Sequence, residues 1–159
     1  MNLGNLASQR QRLLWLIEQA NRLPAEQTEL RAHWARYICV LVSGFLENSL
    51  KELYSHYARS CSAPAVANYV EVQLERLQNP RAQRFVETAQ AFDKRWANDL
   101  AAFMEEEGRK EAIDAIMANR HQIAHGKDSG ITLARISDYL AKSVRVLDFI
   151  EAQCAGRAR

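Results

Sequence analysis

The sequence predicts an all-α protein, an up-and-down helical bundle built around one long central helix with short accessory helices. Three observations carry that prediction. Glycine and proline are sparse, six and three in 159 residues, so few points interrupt a regular backbone. Successive segments repeat apolar residues at i, i+3, i+4 and i+7, the pattern of helices that bury one face. One segment, from about Ala25 to about Ser60, carries two apolar faces, which places it where neighbours pack on two sides. The length suits one domain with a sizeable core, spanning 1–159, with 155–159 expected as a flexible tail.

The first helix is expected from about Asn5 to Arg22, with Leu6, Leu13, Leu14, Ile17 and Ala20 on its apolar face. Leu23-Pro24 ends it, because a residue before proline avoids the helical region. In the long second helix Trp34, Ile38, Leu41 and Phe45 form one stripe, and Val42, Leu46, Leu50, Leu53, Tyr54 and Tyr57 form the other. Ser43-Gly44 in its middle implies a close helix–helix approach or a kink. Cys61-Ser62-Ala63-Pro64 is a break, and proline is favoured in the first turn of the helix that follows. That third helix is expected over Pro64–Gln78, with Val66, Tyr69, Val70, Leu74 and Leu77 inward, and Asn79-Pro80 turns the chain.

A short helix over Arg81–Ala91 places Phe85, Val86 and Ala89 inward, followed by Phe92. Asp93 is a good N-cap for another over Lys94–Met104, with Trp96, Leu100, Phe103 and Met104 toward the core. The aromatic set Phe85, Phe92, Trp96 and Phe103 keeps helical spacing, so it reads as core rather than as a base-stacking surface. Glu105-Glu106-Glu107 is either a solvated helix start or charge that favours the N-terminus of the next helix, Arg109–His125. Gly126 supplies the left-handed residue that commonly ends a helix. After the polar loop Lys127-Asp128-Ser129-Gly130, Thr132 caps a last helix over Leu133–Gln153.

The formal charge is only +2, which excludes a polycationic nucleic-acid coat. Any RNA contact must come from a local patch or from two pooled subunits. Cys39, Cys61 and Cys154 are odd in number and lie far apart without a CxxC, so a reduced, cytoplasmic setting is expected and structural zinc is not. Gln9, Arg10 and Arg12 arrive too early for a signal peptide. The apolar run Tyr37–Leu46 falls well short of the roughly 20 residues a membrane span needs, so no membrane association is expected.

The stretch that asks for a function is Asn119-Arg120-His121-Gln122-Ile123-Ala124-His125-Gly126. Ile113, Ile116, Met117, Ile123 and Ala124 form one stripe, and Arg120 projects from its middle. Arginine keeps its charge in a protein, and burying it unpaired is costly. Something anionic, or a hydrated interface, must therefore meet it. His121 and His125 are i, i+4 neighbours on the flank. An acid, a base and a fixed cation are the groups that metal-free cleavage of a phosphate ester needs. Histidine suits the proton transfers and arginine the phosphate. His121-x3-His125 is also a spacing for two metal ligands, with Asp128 as a third. Glu47 either orients Arg120 or His125 across the bundle or is a salt-bridged helix residue, the commoner case.

Arg120, four residues, then His125 is the Arg-x4-His pattern of HEPN domains. The longer string through Ile123-Ala124-His125-Gly126 and Ser129-Gly130-Ile131-Thr132-Leu133 resembles the RiboL-PSP-type HEPN family. The likeness continues upstream through Ser43-Gly44-Phe45-Leu46-Glu47, Asn79-Pro80 and Phe92-Asp93 to Trp96, Leu100 and Phe103, so it covers nearly the whole chain. It implies an all-α homodimer of HEPN type. Many such proteins cut RNA without a metal, often in phage defence or toxin–antitoxin systems, and some are not catalytic. The expected function is thus a metal-independent endoribonuclease with no cofactor, acting at a composite site between two subunits. Arg120, His125, His121 and Asn119 would carry catalysis, and Lys127, Arg135 and Thr132 would bind phosphate. RNA and an antitoxin or other operon-encoded protein are the expected partners. The alternative is a non-catalytic HEPN domain that binds RNA, a nucleotide or a protein.

Overall fold

The helices fall where the apolar periods put them. The computed structural model describes residues 3–157. Among these residues there are seven helices and no strand: α1 (Leu3–Asn21), α2 (Thr28–Cys61), α3 (Pro64–Leu74), α4 (Ala82–Phe92), α5 (Lys94–Glu105), α6 (Arg109–Ala124) and α7 (Leu133–Arg157). At about 1.5 Å per residue, α2 is a rod of about 50 Å. α1, α3, α6 and α7 all pack on it, while α4 and α5 pair with each other and close against α6 and α7. The two stripes of α2 explain this. Val42, Leu46, Leu50 and Tyr54 are buried completely, as are Ile113 and Ile116 of α6 and Ile136, Leu140 and Ile150 of α7. No helix among the described residues is long and apolar enough to cross a membrane.

Local chemistry sets the boundaries. Pro64 opens α3 from an extended Ala63. Asp93 caps α5, its carboxylate accepting from the backbone N–H of Arg95 at 2.7 Å and of Trp96 at 3.4 Å. Three boundaries differ from the sequence reading by three residues or more. α2 starts at Thr28, because Gln27 N–H turns back to the Pro24 carbonyl at 3.1 Å. α3 stops at Leu74, four residues short of Gln78, and Asn79 takes a left-handed φ of 46° that a helix does not accommodate. α7 continues to Arg157, so residues 155–157 are helical, while Ala158 and Arg159 lie outside the described residues.

Four residues placed on apolar faces are exposed instead: Leu14, Val66, Tyr69 and Ala124. α1 meets α2 through Leu13, Leu16 and Ile17, and Leu14, one position round, lies at the edge of the groove toward α7. α3 buries Ala67 and Leu74, which leaves Val66, Tyr69 and Val72 facing out, Tyr69 at 64% exposure. Gly44 also departs from expectation. α2 runs through it as one helix, and a Cβ built there meets no atom within 4 Å, so no helix of the same chain crowds it.

The aromatic set is core. Tyr54 stacks on Phe92 with centroids 4.7 Å apart, Tyr57 meets Trp96 edge-on at 5.0 Å, and Phe103 stacks on Phe149 at 4.3 Å. Arg109, the first residue of α6, is 3% exposed. Its guanidinium lies 3.9 Å over the Phe103 ring, donates to the Phe103 carbonyl at 2.8 Å, and pairs with Glu107 at 2.6 Å and Glu106 at 3.4 Å. The acidic run is therefore largely paired, since Glu105 also holds Lys110 at 2.6 Å.

Cys39 and Cys154 are buried, and burial pushes both thiols up to about 12, whereas Cys61 is exposed. A thiol reagent at pH 8 is expected to label Cys61 first, and Cys39 and Cys154 only once the protein unfolds. Mass spectrometry of the labelled peptides checks this, and equal labelling of all three in folded protein would refute it.

Candidate functional site

The site is built at the C-terminal end of α6. Cys39 on α2 donates its thiol to the Ile116 carbonyl at 3.7 Å, and Arg36 on α2 reaches Asp128 at 3.3 Å. α6 therefore runs its last two turns and the following loop along the first half of α2. Arg120 sits on the same side of α6 as Ile113 and Ile116, and it is half-buried. Its guanidinium makes no hydrogen bond or ion pair with another described residue. A half-buried cation left without an anion is poised for one from outside the chain.

His125 ends the helix. Its N–H is shared between the carbonyls of His121 and Gln122, both at 3.2 Å. Gly126 follows with φ of 67°, its N–H reaching the Ile123 carbonyl at 3.1 Å, and Lys127 N–H reaches the Gln122 carbonyl at 2.9 Å. These two bonds form the Schellman motif that the Gly126 position foretold. The turn leaves His121 and His125 exposed, their rings edge to face with centroids 4.4 Å apart. Arg120, His121 and His125 thus share one helix end. Asn119 is next to them but pinned along the helix, its amide nitrogen donating to the Ala115 carbonyl at 2.8 Å.

Glu47 is elsewhere. Its carboxylate accepts from Lys51 at 3.0 Å and from the backbone N–H of Asn79 at 2.6 Å. It fastens the turn between α3 and α4 to α2 instead of orienting Arg120 or His125. The three phosphate candidates separate as well. Lys127 is exposed beside the histidines. Thr132 caps α7, its hydroxyl accepting from Arg135 N–H at 3.2 Å. The Arg135 side chain donates along α7 to the Tyr139 hydroxyl at 3.5 Å.

A cavity of about 510 Å³ lies beside the loop after His125, and its wall includes Arg31, Arg36, Asp128 and Thr132 but neither Lys127 nor Arg135. Arg31 and Arg36 escaped the sequence reading because their only tie to the loop is tertiary: Asp128 is 92 residues away from Arg36. Nothing in their spacing along α2 distinguishes them from solvated helix residues. Asp128 is held by Arg36 and by the Gly130 N–H, at 3.3 Å each, so it does not join His121 and His125. Among the described residues no group of three His, Cys, Asp or Glu is placed to hold a metal ion.

No curated protein and no solved structure shows significant similarity to this chain. A family described as RiboL-PSP-HEPN matches residues 5–156, which takes in α2 to α6 whole, nearly all of α1 and α7, and the Arg120–His125 segment. With an all-helical fold, an Arg-x4-His end to α6 and a match over nearly its full length, the chain belongs to the RiboL-PSP-type HEPN family.

Proposed function

We propose that this chain is an endoribonuclease that cuts RNA without a metal, at a site shared by two copies of the chain. The observation that carries the reading is Arg120: half-buried, unpaired among the described residues, and on the same helix end as two exposed histidines. In the reaction the ribose 2′-oxygen attacks phosphorus as one histidine takes its proton. The bond from phosphorus to the 5′-oxygen breaks as a second histidine donates a proton to that oxygen. Arg120 offsets the charge on the non-bridging oxygens. The products are a 2′,3′-cyclic phosphate and a 5′-hydroxyl. Lys127, Thr132 and Arg135 provide further polar groups for the strand.

The open side of α2 supports the shared site. Leu30, Tyr37 and Val40 are exposed apolar residues there, and Gly44 has open space above it. This strip borders the side of α2 that receives α6, so a two-fold contact along it brings two copies of the Arg120–His125 end together. A second reading, favoured by the uncovered Val66, Tyr69 and Val72 on α3, is a non-catalytic HEPN domain that docks a protein such as an antitoxin.

Incubating RNA with the purified protein in EDTA separates the two, cleavage supporting the nuclease and intact RNA the binding domain. Mixing wild-type chains with excess His125→Ala chains then tests sharing. A shared site gives activity below the dilution of wild-type chains. Activity strictly proportional to wild-type content, or a fully active monomer by light scattering, defeats the composite site.

A further inference from the structure

The cavity beside the loop after His125 is positive. Arg31 and Arg36 contribute two guanidiniums to its wall, and Asp128 is the only acid there among the described residues. Alanines and Ile131 make up much of the rest, so the two guanidiniums stand against a partly apolar wall that opens to solvent. Arg31 uses one nitrogen to hold the carbonyls of Leu23 at 2.8 Å and Asn21 at 3.4 Å. Its other N–H groups have no partner among the described residues. Arg36 bonds Asp128 at 3.3 Å and lies 3.4 Å from the His33 ring nitrogen. The Asp128 side chain is 86% exposed, so its bond to Arg36 is a solvent-screened surface ion pair, weak and readily exchanged for a better anion.

We propose that this cavity seats a second RNA phosphate, that of a nucleotide flanking the bond cut beside His125, and that Asp128 occupies Arg36 until RNA displaces it. The inference rests on the reading that RNA is the ligand. The chain itself links the two places: Asp128 follows His125 by three residues, so the loop that ends the catalytic helix also forms the wall of the cavity. An arginine fork is well shaped for two phosphate oxygens, which a single carboxylate oxygen at 3.3 Å does not fill. Asp128 then acts as a selectivity filter. A lone phosphate carries one charge, as Asp128 does, and gains little by replacing it, whereas a strand also held at Arg120 gains a second contact and does.

The test is fluorescence anisotropy of the full chain with a labelled single-stranded 2′-O-methyl RNA, which has no hydroxyl to attack and cannot be cut. Arg36→Gln is expected to weaken binding about 5- to 10-fold and to lower the salt slope by about 1. Asp128→Asn is expected to tighten binding several-fold, the opposite sign, because it frees Arg36. Arg145→Gln, on the exposed surface of α7, serves as the reference and should change little. A structural role for the Arg36–Asp128 pair would weaken binding in both variants, and that result overturns the proposal. So does an Arg36→Gln effect no larger than that of Arg145→Gln. With ordinary RNA, Arg36→Gln should raise KM and leave kcat near wild type. A chain that binds the probe in this pattern but leaves ordinary RNA uncut defeats the nuclease reading and supports the phosphate seat. Unchanged KM in an active Arg36→Gln enzyme supports the nuclease and removes the seat.

Discussion

Arg120→Ala and His125→Ala are each expected to lower RNA cleavage by about 10²-fold or more, the scale on which removing a charge-stabilising donor or a proton-transfer group acts. Folding should hardly notice. Arg120 makes no polar contact with a described residue, so its loss orphans no partner. His125 is exposed, and the bonds that end α6 use its backbone N–H rather than its ring. The helical circular-dichroism signal and the melting temperature should therefore stay near wild type while activity disappears. Arg120→Lys adds a sharper check. It keeps the charge but loses the planar fork, so it should recover only part of the rate. Residual activity within a factor of a few for either alanine variant would remove that residue from the chemistry.

Arg109→Ala should have the contrasting phenotype, a large loss of stability. Arg109 is buried, and its guanidinium ties the Phe103 carbonyl, the Phe103 ring and two glutamates into the turn that starts α6. The glutamate pairs are mostly exposed on their acidic side and contribute little. The carbonyl and the ring contribute more, because deletion leaves a part-buried acceptor without its donor and opens a gap against the Phe103–Phe149 stack. The expected cost is about 2–3 kcal/mol, a fall of about 5–10 °C in Tm for a chain of this size. Glu106→Gln with Glu107→Gln should cost under about 1 kcal/mol. Arg109→Met fills much of the gap without the donors. If it melts with wild type, the hydrogen bond and the cation–ring contact are not what anchors α6.

The contrast between these two arginines shows what a sequence discloses. Arg120 stands out because its neighbours at i−4 and i−7 are Ile116 and Ile113, so its burial is visible in the helical period. Arg109 stands at a helix start beside three glutamates and looks solvated. Only the left-handed pair Glu107 and Gly108 folds those glutamates back around it. The same distinction runs through the fold. Seven helices were legible because each buries a face. Which apolar residue is actually covered was not, as Leu14, Val66 and Tyr69 show, because cover is supplied by a neighbour far away in the chain. Within the site, the Gly126 turn and the pairing of His121 with His125 followed from local spacing. The separation of Glu47 from Arg120, and the approach of Arg31 and Arg36 to the loop, depend on how α2 and α6 are laid side by side.

The mounting of α3 has a consequence of its own. It rests on α2 alone among its main packing partners, through few buried side chains, with the ion pairs Arg59–Glu71 at 2.6 Å and Lys51–Glu75 at 3.6 Å along its edge. A segment anchored in this way can lift off and return without disturbing α6 or α7, so its amide hydrogens should trade with solvent far sooner than those at Ile113 or Ile116. The outward face of α3, carrying Val66, Tyr69 and Val72, can therefore be redecorated while the end of α6 stays as it is. Within this bundle α3 is the part free to change its surface, and the end of α6 the part held in place by its neighbours.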